Sequence, residues 1–283
     1  MNGVVEAGQA PPTGPDRPAS RRWLPWLLAA TVAWAVLLTV LTWTSVRDDP
    51  PTVREQRSLA EAGPVVDRAA GELAAAAGDT AVLTPPEVER GCRVTPFADG
   101  ATLVRAVEAF VPAGEERALL EQVADRLPGH WRAGVRVTSD GPLLRADAGE
   151  FVTVEGTVVG DGRVRLVADT GCRPVGDDYA APTADATGAE TEALAAALRA
   201  LGGPAAAAPE VVVAPCPAGG AARTARAAAV PAPPSPAAAL APVARVPLLD
   251  TPQAYAYRHG AVTVVADLPD DRVVLSATTG CPA

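Results

Sequence analysis

The sequence carries one pattern twice, as RVRLVADTGCRP at residues 163–174 and as RVVLSATTGCPA at residues 272–283. In both copies the cysteine lies nine positions after the first arginine. Each copy follows a turn, at 160–162 or 269–271, and a run rich in β-branched residues precedes that turn. The alternating side chains on either side of each turn predict a β-hairpin at the end of each copy.

The correspondence extends upstream of the hairpins. A helical segment ends at Gly78 in one half and at Gly202 in the other, and each glycine lies 14 residues before a cysteine, Cys92 or Cys216. Each of these cysteines follows a Pro-Glu-Val strand start. Because several anchors recur in the same order, the sequence predicts an internal duplication.

The second helix differs between the two copies. Residues 115–127 place apolar side chains along one face of a helix and two glutamates near its start. In the second copy, Ser235 and Pro236 are favourable starting residues, but Pro242 must end the helix after about one and a half turns. The second copy is therefore expected to be a reduced partner that packs against the first.

Each copy is predicted to contain a helix, two strands, a second helix and then two or three strands. This order indicates an α+β fold, in which an N-terminal transmembrane helix precedes two small domains, each an antiparallel sheet covered by helices on one face.

Deleting residues 190–283 is expected to leave the first domain folded. The predicted boundaries are a disordered cytoplasmic tail at 1–20, an anchor helix at 21–46, a stalk at 47–57, a first repeat domain at 58–174, a linker at 175–189 and a second, reduced repeat domain at 190–283.

The four cysteines, Cys92, Cys172, Cys216 and Cys281, allow three disulfide pairings. The repeat selects Cys92 with Cys172 and Cys216 with Cys281, one bridge in each copy. Loops of this length give each bridge a stabilisation of about 4 kcal/mol as an upper figure, and such bonds persist in an oxidising exterior. A zinc site is the competing interpretation, but the sequence offers no closely spaced pair of ligands.

Residues 23–46 contain no charged side chain and would cover about 36 Å as a helix, enough to cross a hydrocarbon core of about 30 Å. Tryptophans mark both ends of this run, as they do at membrane interfaces. A cleaved signal peptide is the alternative, but its apolar core is shorter and ends at a small-residue cleavage site, which residues 41–46 lack. The run is therefore predicted to be an uncleaved single-pass anchor.

Basic residues flank this span unevenly. Arg17, Arg21 and Arg22 precede it, whereas Arg47 is followed at once by two aspartates. The positive-inside rule then places the N-terminus in the cytoplasm and the C-terminal domains outside the cell membrane. The outer part carries 31 acidic and 21 basic residues, a net charge of −10, which argues against nucleic acid and anionic lipid as partners.

The sequence contains no recognisable catalytic or cofactor-binding motif, so no catalytic residue, cofactor or metal site is predicted. His130 and His259 occupy different places in the two copies and are interpreted as solvated or capping residues. A pocket that brings His130 close to Asp147 or Glu150 would instead favour a hydrolase. Three acidic pairs are interpreted as turn or linker residues: Asp147 with Glu150, Asp177 with Asp178, and Asp270 with Asp271.

Three functional hypotheses follow from these features. The first is a non-catalytic extracytoplasmic binding or interaction module, held at the membrane and facing another envelope or membrane protein or a small ligand. The second is a regulatory or scaffold subunit of a membrane complex that acts through its span. The third is a divergent envelope hydrolase. The short cytoplasmic tail has no recognisable domain and could not signal by itself, which favours the first hypothesis.

Three segments accompany the N-terminal span: CRVTPF at 92–97, ADAGEFV at 146–152 and ADTGCRP at 168–174. In this combination the chain resembles single-span envelope proteins of high-GC Gram-positive bacteria. The resemblance covers the first copy best and is weaker in the second. It implies a location in the cell envelope, carries no known activity and supplies no site residues.

Overall fold

The computed structural model describes residues 23–48, 57–176, 178–203, 209–227, 230–269 and 272–282. By its internal contacts the chain divides into two compact units, Met1–Glu55 and Gln56–Ala283. The predicted tail at 1–20 and most of the predicted stalk, residues 49–56, lie outside the described residues.

The first unit contains one long helix, α1 (Leu24–Asp48). Within it, Pro25–Thr44 is a stretch of 20 residues with a mean hydropathy of 1.9, long and apolar enough to cross a membrane. The hydroxyls of Thr31, Thr39 and Thr42 donate to carbonyl oxygens four residues earlier, so these polar groups are satisfied inside the helix.

The second unit is built from two antiparallel sheets and the helices that pack on them, which confirms the predicted α+β class. Its helices are α2 (Leu59–Ala77), α3 (Glu116–Arg126), α4 (Ala189–Ala200) and α5 (Pro236–Leu240), with a short 3-10 helix at Gly129–Trp131. Sheet 1 consists of β1 (Val82–Leu83), β2 (Glu87–Thr95), β3 (Ala98–Phe110), β4 (Gly134–Thr138), β5 (Gly141–Asp147), β6 (Thr153–Gly160), β7 (Arg163–Asp169) and β8 (Arg173–Pro174). Sheet 2 consists of β9 (Glu210–Pro215), β10 (Ala221–Arg226), β11 (Val230–Pro231), β12 (Val246–Asp250), β13 (Ala254–His259), β14 (Val262–Asp267) and β15 (Arg272–Thr279).

The two sheets share one strand order. Sheet 1 runs β1-β3-β7-β6-β5-β4, and both β2 and β8 pair with β3; sheet 2 runs β12-β13-β14-β15-β10-β9, and β11 pairs with β15. When β2 is matched to β9, β3 to β10 and β4–β7 to β12–β15, the strands lie in the same spatial order in both sheets. After its second helix each half adds four strands before its second cysteine, where two or three were predicted, because β4 and β12 are short edge strands whose side chains are largely exposed.

The helix ends follow the capping residues. The Ser58 hydroxyl accepts from the backbone N–H of Glu61, whose carboxylate accepts from the Ser58 N–H, so α2 begins with a capping box. The helix ends before Gly78, which has a φ of 85°. In the second half α5 ends at Leu240, two residues before Pro242, as the sequence predicted.

Helix α2 packs on both sheets. It contacts β3 and β7 of sheet 1 and also β9 and β10 of sheet 2, whereas α4 covers the other face of sheet 2. Sheet 2 is thus buried on both faces, although the sequence predicted helices on one face only. In β15, Leu275 and Ala277 face α4, while the neighbouring side chains of Ser276 and Thr278 are buried on the side of α2.

A shared hydrophobic cluster contains residues of both halves. Leu73 and Val107 of the first half belong to the same buried cluster as Val212 and Ala214 of the second half. The regions predicted as two domains, 58–174 and 190–283, therefore lie in one compact unit.

Each sheet carries one disulfide, and the pairing is the one that the repeat selects. Cys92 in β2 is bonded to Cys172, which follows β7, with 5.9 Å between the Cα atoms. Cys216 at the end of β9 is bonded to Cys281, which follows β15, with 5.5 Å between the Cα atoms. Each bond joins the first long strand of its half, β2 or β9, to the end of the last long strand, β7 or β15.

Candidate functional site

The two halves meet most closely at Gly71 in the middle of α2. A Cβ atom at this position would lie 1.8 Å from the carbonyl oxygen of Pro215 in β9, a distance that no side chain can occupy. Only glycine therefore allows the backbones of α2 and β9 to approach so closely. The sulfur of Cys281 lies nearby, 3.9 Å from the Gly71 carbonyl oxygen.

A buried polar cluster holds this contact together. Arg105 of β3 donates from Nη1 to Asp67 of α2 at 2.6 Å and from Nη2 to the carbonyl oxygen of Val213 in β9 at 2.7 Å. The hydroxyl of Tyr179 donates to the same Asp67 oxygen at 2.7 Å. Arg105 is almost fully buried and binds groups of both halves. Its hydrogen bonds therefore hold β9 of sheet 2 in position next to α2.

The ionisation of this cluster is set by its burial. Burial raises the pKa of the Asp67 carboxyl, against the opposing effects of the Tyr179 hydrogen bond and the Arg105 charge. Burial, together with the hydrogen bond to Asp67, also raises the pKa of the Tyr179 hydroxyl. The cluster pairs one cation with one carboxylate, and its hydrogen bonds join the two halves, while the buried Nε of Arg105 has no hydrogen-bond partner within the described residues.

A groove of about 780 Å³ opens beside this junction, between the end of α2 and one end of sheet 2. It has the size of a small-ligand site. Most of its walls are glycine and alanine, so backbone groups lie close to its surface. The lining residues are Ala74, Ala75, Gly78, Asp79, Ala81, Gly220, Ala221, Ala222, Arg258, Gly260, Ala261, Thr263, Thr278, Thr279, Gly280, Cys281 and Pro282.

Hydroxyl groups and one ion pair supply the polarity of the groove. Thr278 shares a hydrogen bond of 2.9 Å with Thr224, and the Thr279 hydroxyl donates to Glu190 at 3.2 Å. Arg258 and Asp79, both substantially exposed, form an ion pair between the two halves at the groove. These hydroxyls are bonded to protein groups, and they lie beside the small apolar surface of the groove.

The predicted candidate residues each contact groups outside the candidate set. The ring of His130 packs edge-on against Trp131 with 6.4 Å between ring centroids, and His259 Nδ1 donates to the Val243 carbonyl oxygen at 3.1 Å. Asp147 accepts from the backbone of Gly149 at 2.9 Å, as a turn residue does. His130, Asp147 and Glu150 line neither the groove nor the two smaller cavities of the described residues.

The remaining acidic candidates form surface ion pairs where the structure describes them. Glu150 contacts Arg57 at 2.9 Å, and Asp178 contacts Arg90 at 3.0 Å. Asp177, Asp270 and Asp271 lie outside the described residues. Among the residues that are described, no group of three or more His, Cys, Asp or Glu side chains is arranged to hold a metal ion.

Sequence analysis missed the groove and the cluster behind it. One signal for the cluster was present, because Asp67 is a charged residue on the apolar, buried face of an amphipathic helix. The groove had no such signal, since its walls come from four separated segments that are rich in small residues.

Comparisons with protein-family models, with curated proteins and with solved structures found no match for this chain.

Proposed function

We propose that the chain is a membrane-anchored extracytoplasmic binding protein of the cell envelope, without catalytic activity, and that the groove between α2 and sheet 2 is its binding site. The observation that carries the proposal is the groove itself. It is large enough for a small ligand or a short peptide segment, and its threonine hydroxyls and ion pair lie beside small apolar walls.

The location rests on two independent features. Helix α1 has the length and hydropathy of a membrane span, and the excess of arginine before it supports a cytoplasmic N-terminus. The two disulfides support an oxidising compartment for the second unit. The resemblance to single-span envelope proteins of high-GC Gram-positive bacteria agrees with this location.

The shared strand order supports an origin by duplication. Both halves place their disulfide between equivalent strands and follow the same connections. In this proposal the second half no longer serves as an independent copy, since its sheet has become one wall of the groove against α2.

Binding is tested with the full chain in nanodiscs, by screening peptides, glycans and small acids for a rise in melting temperature. A ligand that binds only the native state raises the free energy of unfolding with the logarithm of one plus its concentration over Kd. We expect Ala261→Trp, which places a large ring at the groove, to abolish the shift. Ala113→Trp, at an exposed loop outside the groove, is the matched control and should retain it. A shift that survives Ala261→Trp, or no shift with any class of ligand, overturns the assignment of the groove.

Location is tested separately on membranes prepared from cells. The chain should resist alkaline extraction, keep its N-terminal residues by mass spectrometry and contain both disulfides when thiols are blocked at lysis. Release of a shortened chain would identify residues 23–46 as a cleaved signal sequence and would leave the binding test intact.

A further inference from the structure

One of the two smaller cavities lies along the outer edge of sheet 2 and has a volume of about 310 Å³. The edge strand is β9, which pairs only with β10 among the described strands. Residues 210–213 of β9 form one wall of the cavity, and Pro85, Pro86 and residues 181–184 form the others. Arg105 also lines the cavity, which therefore reaches the buried polar cluster.

The backbone of β9 turns the groups of alternate residues out of the sheet. Cys216, just after the strand, donates to the Gly220 carbonyl oxygen at 3.0 Å and so bonds towards β10. Because this direction alternates along an antiparallel strand, the even-numbered residues of β9 bond to β10, whereas Val211 and Val213 point their N–H and C=O groups outwards. The hydrogen bond from Arg105 to the Val213 carbonyl oxygen agrees with this alternation.

Protein groups cover only the inner part of this outward edge. The Pro215 carbonyl oxygen lies against Gly71 of α2, and Arg105 binds the Val213 carbonyl oxygen. The N–H and C=O of Val211 and the N–H of Val213 have no hydrogen-bond partner among the residues that the structure describes. A strand edge with free backbone groups is a template on which another strand can pair.

Arg105 supplies a further unpaired donor beside the same cavity. Its side chain is 1% exposed, and both Nη atoms are bonded, but Nε has no partner among the described residues. A buried donor without an acceptor is unfavourable, and more so when it carries charge. A ligand that brings a carbonyl oxygen to Nε would therefore bind more tightly than one without such an acceptor.

We infer that this cavity is a second binding site, separate from the groove, in which an extended peptide segment adds to β9 as a further strand. Donors and acceptors alternate along an extended peptide, so one of its residues pairs with both backbone groups of Val211, and its carbonyl oxygens accept from the Val213 N–H and from Arg105 Nε. Residues 210–213 are about 13 Å long, which is room for about three or four peptide residues. The valine, alanine and proline walls favour small apolar side chains.

The charge at this edge favours a basic peptide. Glu210 is exposed and lines the cavity, three residues before the carbonyl oxygen that Arg105 binds. The outer part of the chain has a net charge of −10, which attracts cationic segments and repels acidic ones. The occupant is therefore a segment of small apolar residues with one lysine or arginine close to Glu210.

The test measures peptide affinity for the full chain in detergent micelles by fluorescence anisotropy. The probe is the labelled, end-blocked peptide Ala-Val-Lys-Val-Ala, and its control has the same side chains but a methyl group on every backbone nitrogen. Methylation removes the N–H groups that strand pairing needs, so we expect about tenfold weaker binding. Glu210→Gln should weaken binding of the lysine peptide about two- to fivefold and leave binding of a glutamine version unchanged.

Val211→Pro tests the edge itself. It removes an N–H that points out of the sheet, so the melting temperature should stay near that of the wild type while peptide affinity falls about tenfold. Val211→Ala keeps this N–H and should bind the peptide far more tightly than Val211→Pro. If Val211→Pro melts early, the methylated peptide, which needs no variant, decides the question.

Equal affinity for the methylated and unmethylated peptides overturns the inference, as does no binding of either the lysine or the glutamine peptide at millimolar concentration. Binding that Ala261→Trp abolishes belongs to the groove and also overturns it. A dimer that Val211→Pro dissociates would make a second copy of the chain the occupant and would contradict the peptide.

Discussion

Arg105 is almost fully buried, and a single carboxylate, Asp67, balances its charge. Removing one partner of such a pair leaves the other charge buried without compensation. We expect Arg105→Met to lower the free energy of unfolding by about 3–5 kcal/mol, and Asp67→Leu combined with Arg105→Met to recover most of that loss. Urea denaturation of the full chain in mild detergent, followed by circular dichroism, measures both.

The control for this comparison is Arg117→Met, which breaks the exposed ion pair of Arg117 with Glu121 in α3. It should change the free energy of unfolding by less than about 0.5 kcal/mol. If Arg105→Met costs no more than this control, the buried pair does not hold the two halves together.

The tyrosines make stability depend on alkaline pH. Burial raises the pKa of Tyr257 to about 12, and it also raises the pKa of Tyr179 and Tyr255. An unfolded chain loses these protons near pH 10, whereas the folded chain keeps them. Stability that is fully present below pH 10 should therefore fall as the pH rises towards 12, and Tyr257 alone contributes a slope of about 1.4 kcal/mol per pH unit.

Ultraviolet titration of tyrosinate checks this prediction. The native chain should titrate above the midpoint of the chain unfolded in denaturant, and Tyr257→Phe should remove one of the late-titrating groups. Identical midpoints for the native and unfolded chains would contradict it.

At the level of single residues, the sequence predicted the cysteine pairing because the repeat places each cysteine in an equivalent strand. It did not predict the partners of Asp67, because Arg105 and Tyr179 lie 38 and 112 residues away along the chain. Long-range pairs of this kind depend on how the elements pack, which local patterns do not encode.

At the level of elements, helix α2 depends on Gly71 to approach β9. A methyl group at this position would overlap the Pro215 carbonyl oxygen, so α2 and sheet 2 would have to separate. We expect Gly71→Ala to destabilise the chain by about 1–3 kcal/mol, although alanine is the better helix former. Thermal unfolding of the full chain measures the change.

Gly129→Ala is the matched control, since a Cβ atom at Gly129 meets no other atom within 4 Å. It should leave the melting temperature nearly unchanged. A melting temperature for Gly71→Ala equal to that of Gly129→Ala would show that the close contact with β9 does not limit stability.

Elements with a strong periodic or capping signal were predicted well, and weak edge strands were not. The end of α2 at Gly78 and the short α5 between Ser235 and Pro242 agree with the prediction. The number of strands was underestimated because β4 and β12 are only five residues long and have mostly exposed side chains.

At the level of the whole molecule, the shared core changes the expectation for a truncated chain. Without residues 190–283, the face of α2 that packs on β9 and β10 would be exposed, and Arg105 would lose its Val213 acceptor. We now expect deletion of 190–283 to leave the first half aggregated or partly unfolded, because contiguous apolar surface of this kind promotes association.

Size-exclusion chromatography and limited proteolysis of the truncated chain, compared with the full chain in the same detergent, test this expectation. A monodisperse, protease-resistant product would contradict it and would restore the earlier prediction of an independent first domain.

The position of β15 sets the order in which the protein can be made. This strand lies between β14 and β10 in sheet 2, and Cys281 directly after it closes the second disulfide. Sheet 2 cannot assemble until residues 272–281 have been synthesised and, in the proposed location, exported, and the face of α2 that sheet 2 covers stays open until then. A nascent chain paused before that point would expose that apolar surface, which promotes aggregation. Maturation therefore has a single late step, and a stop codon that removes only the last strand should be as harmful as one that removes the whole second half.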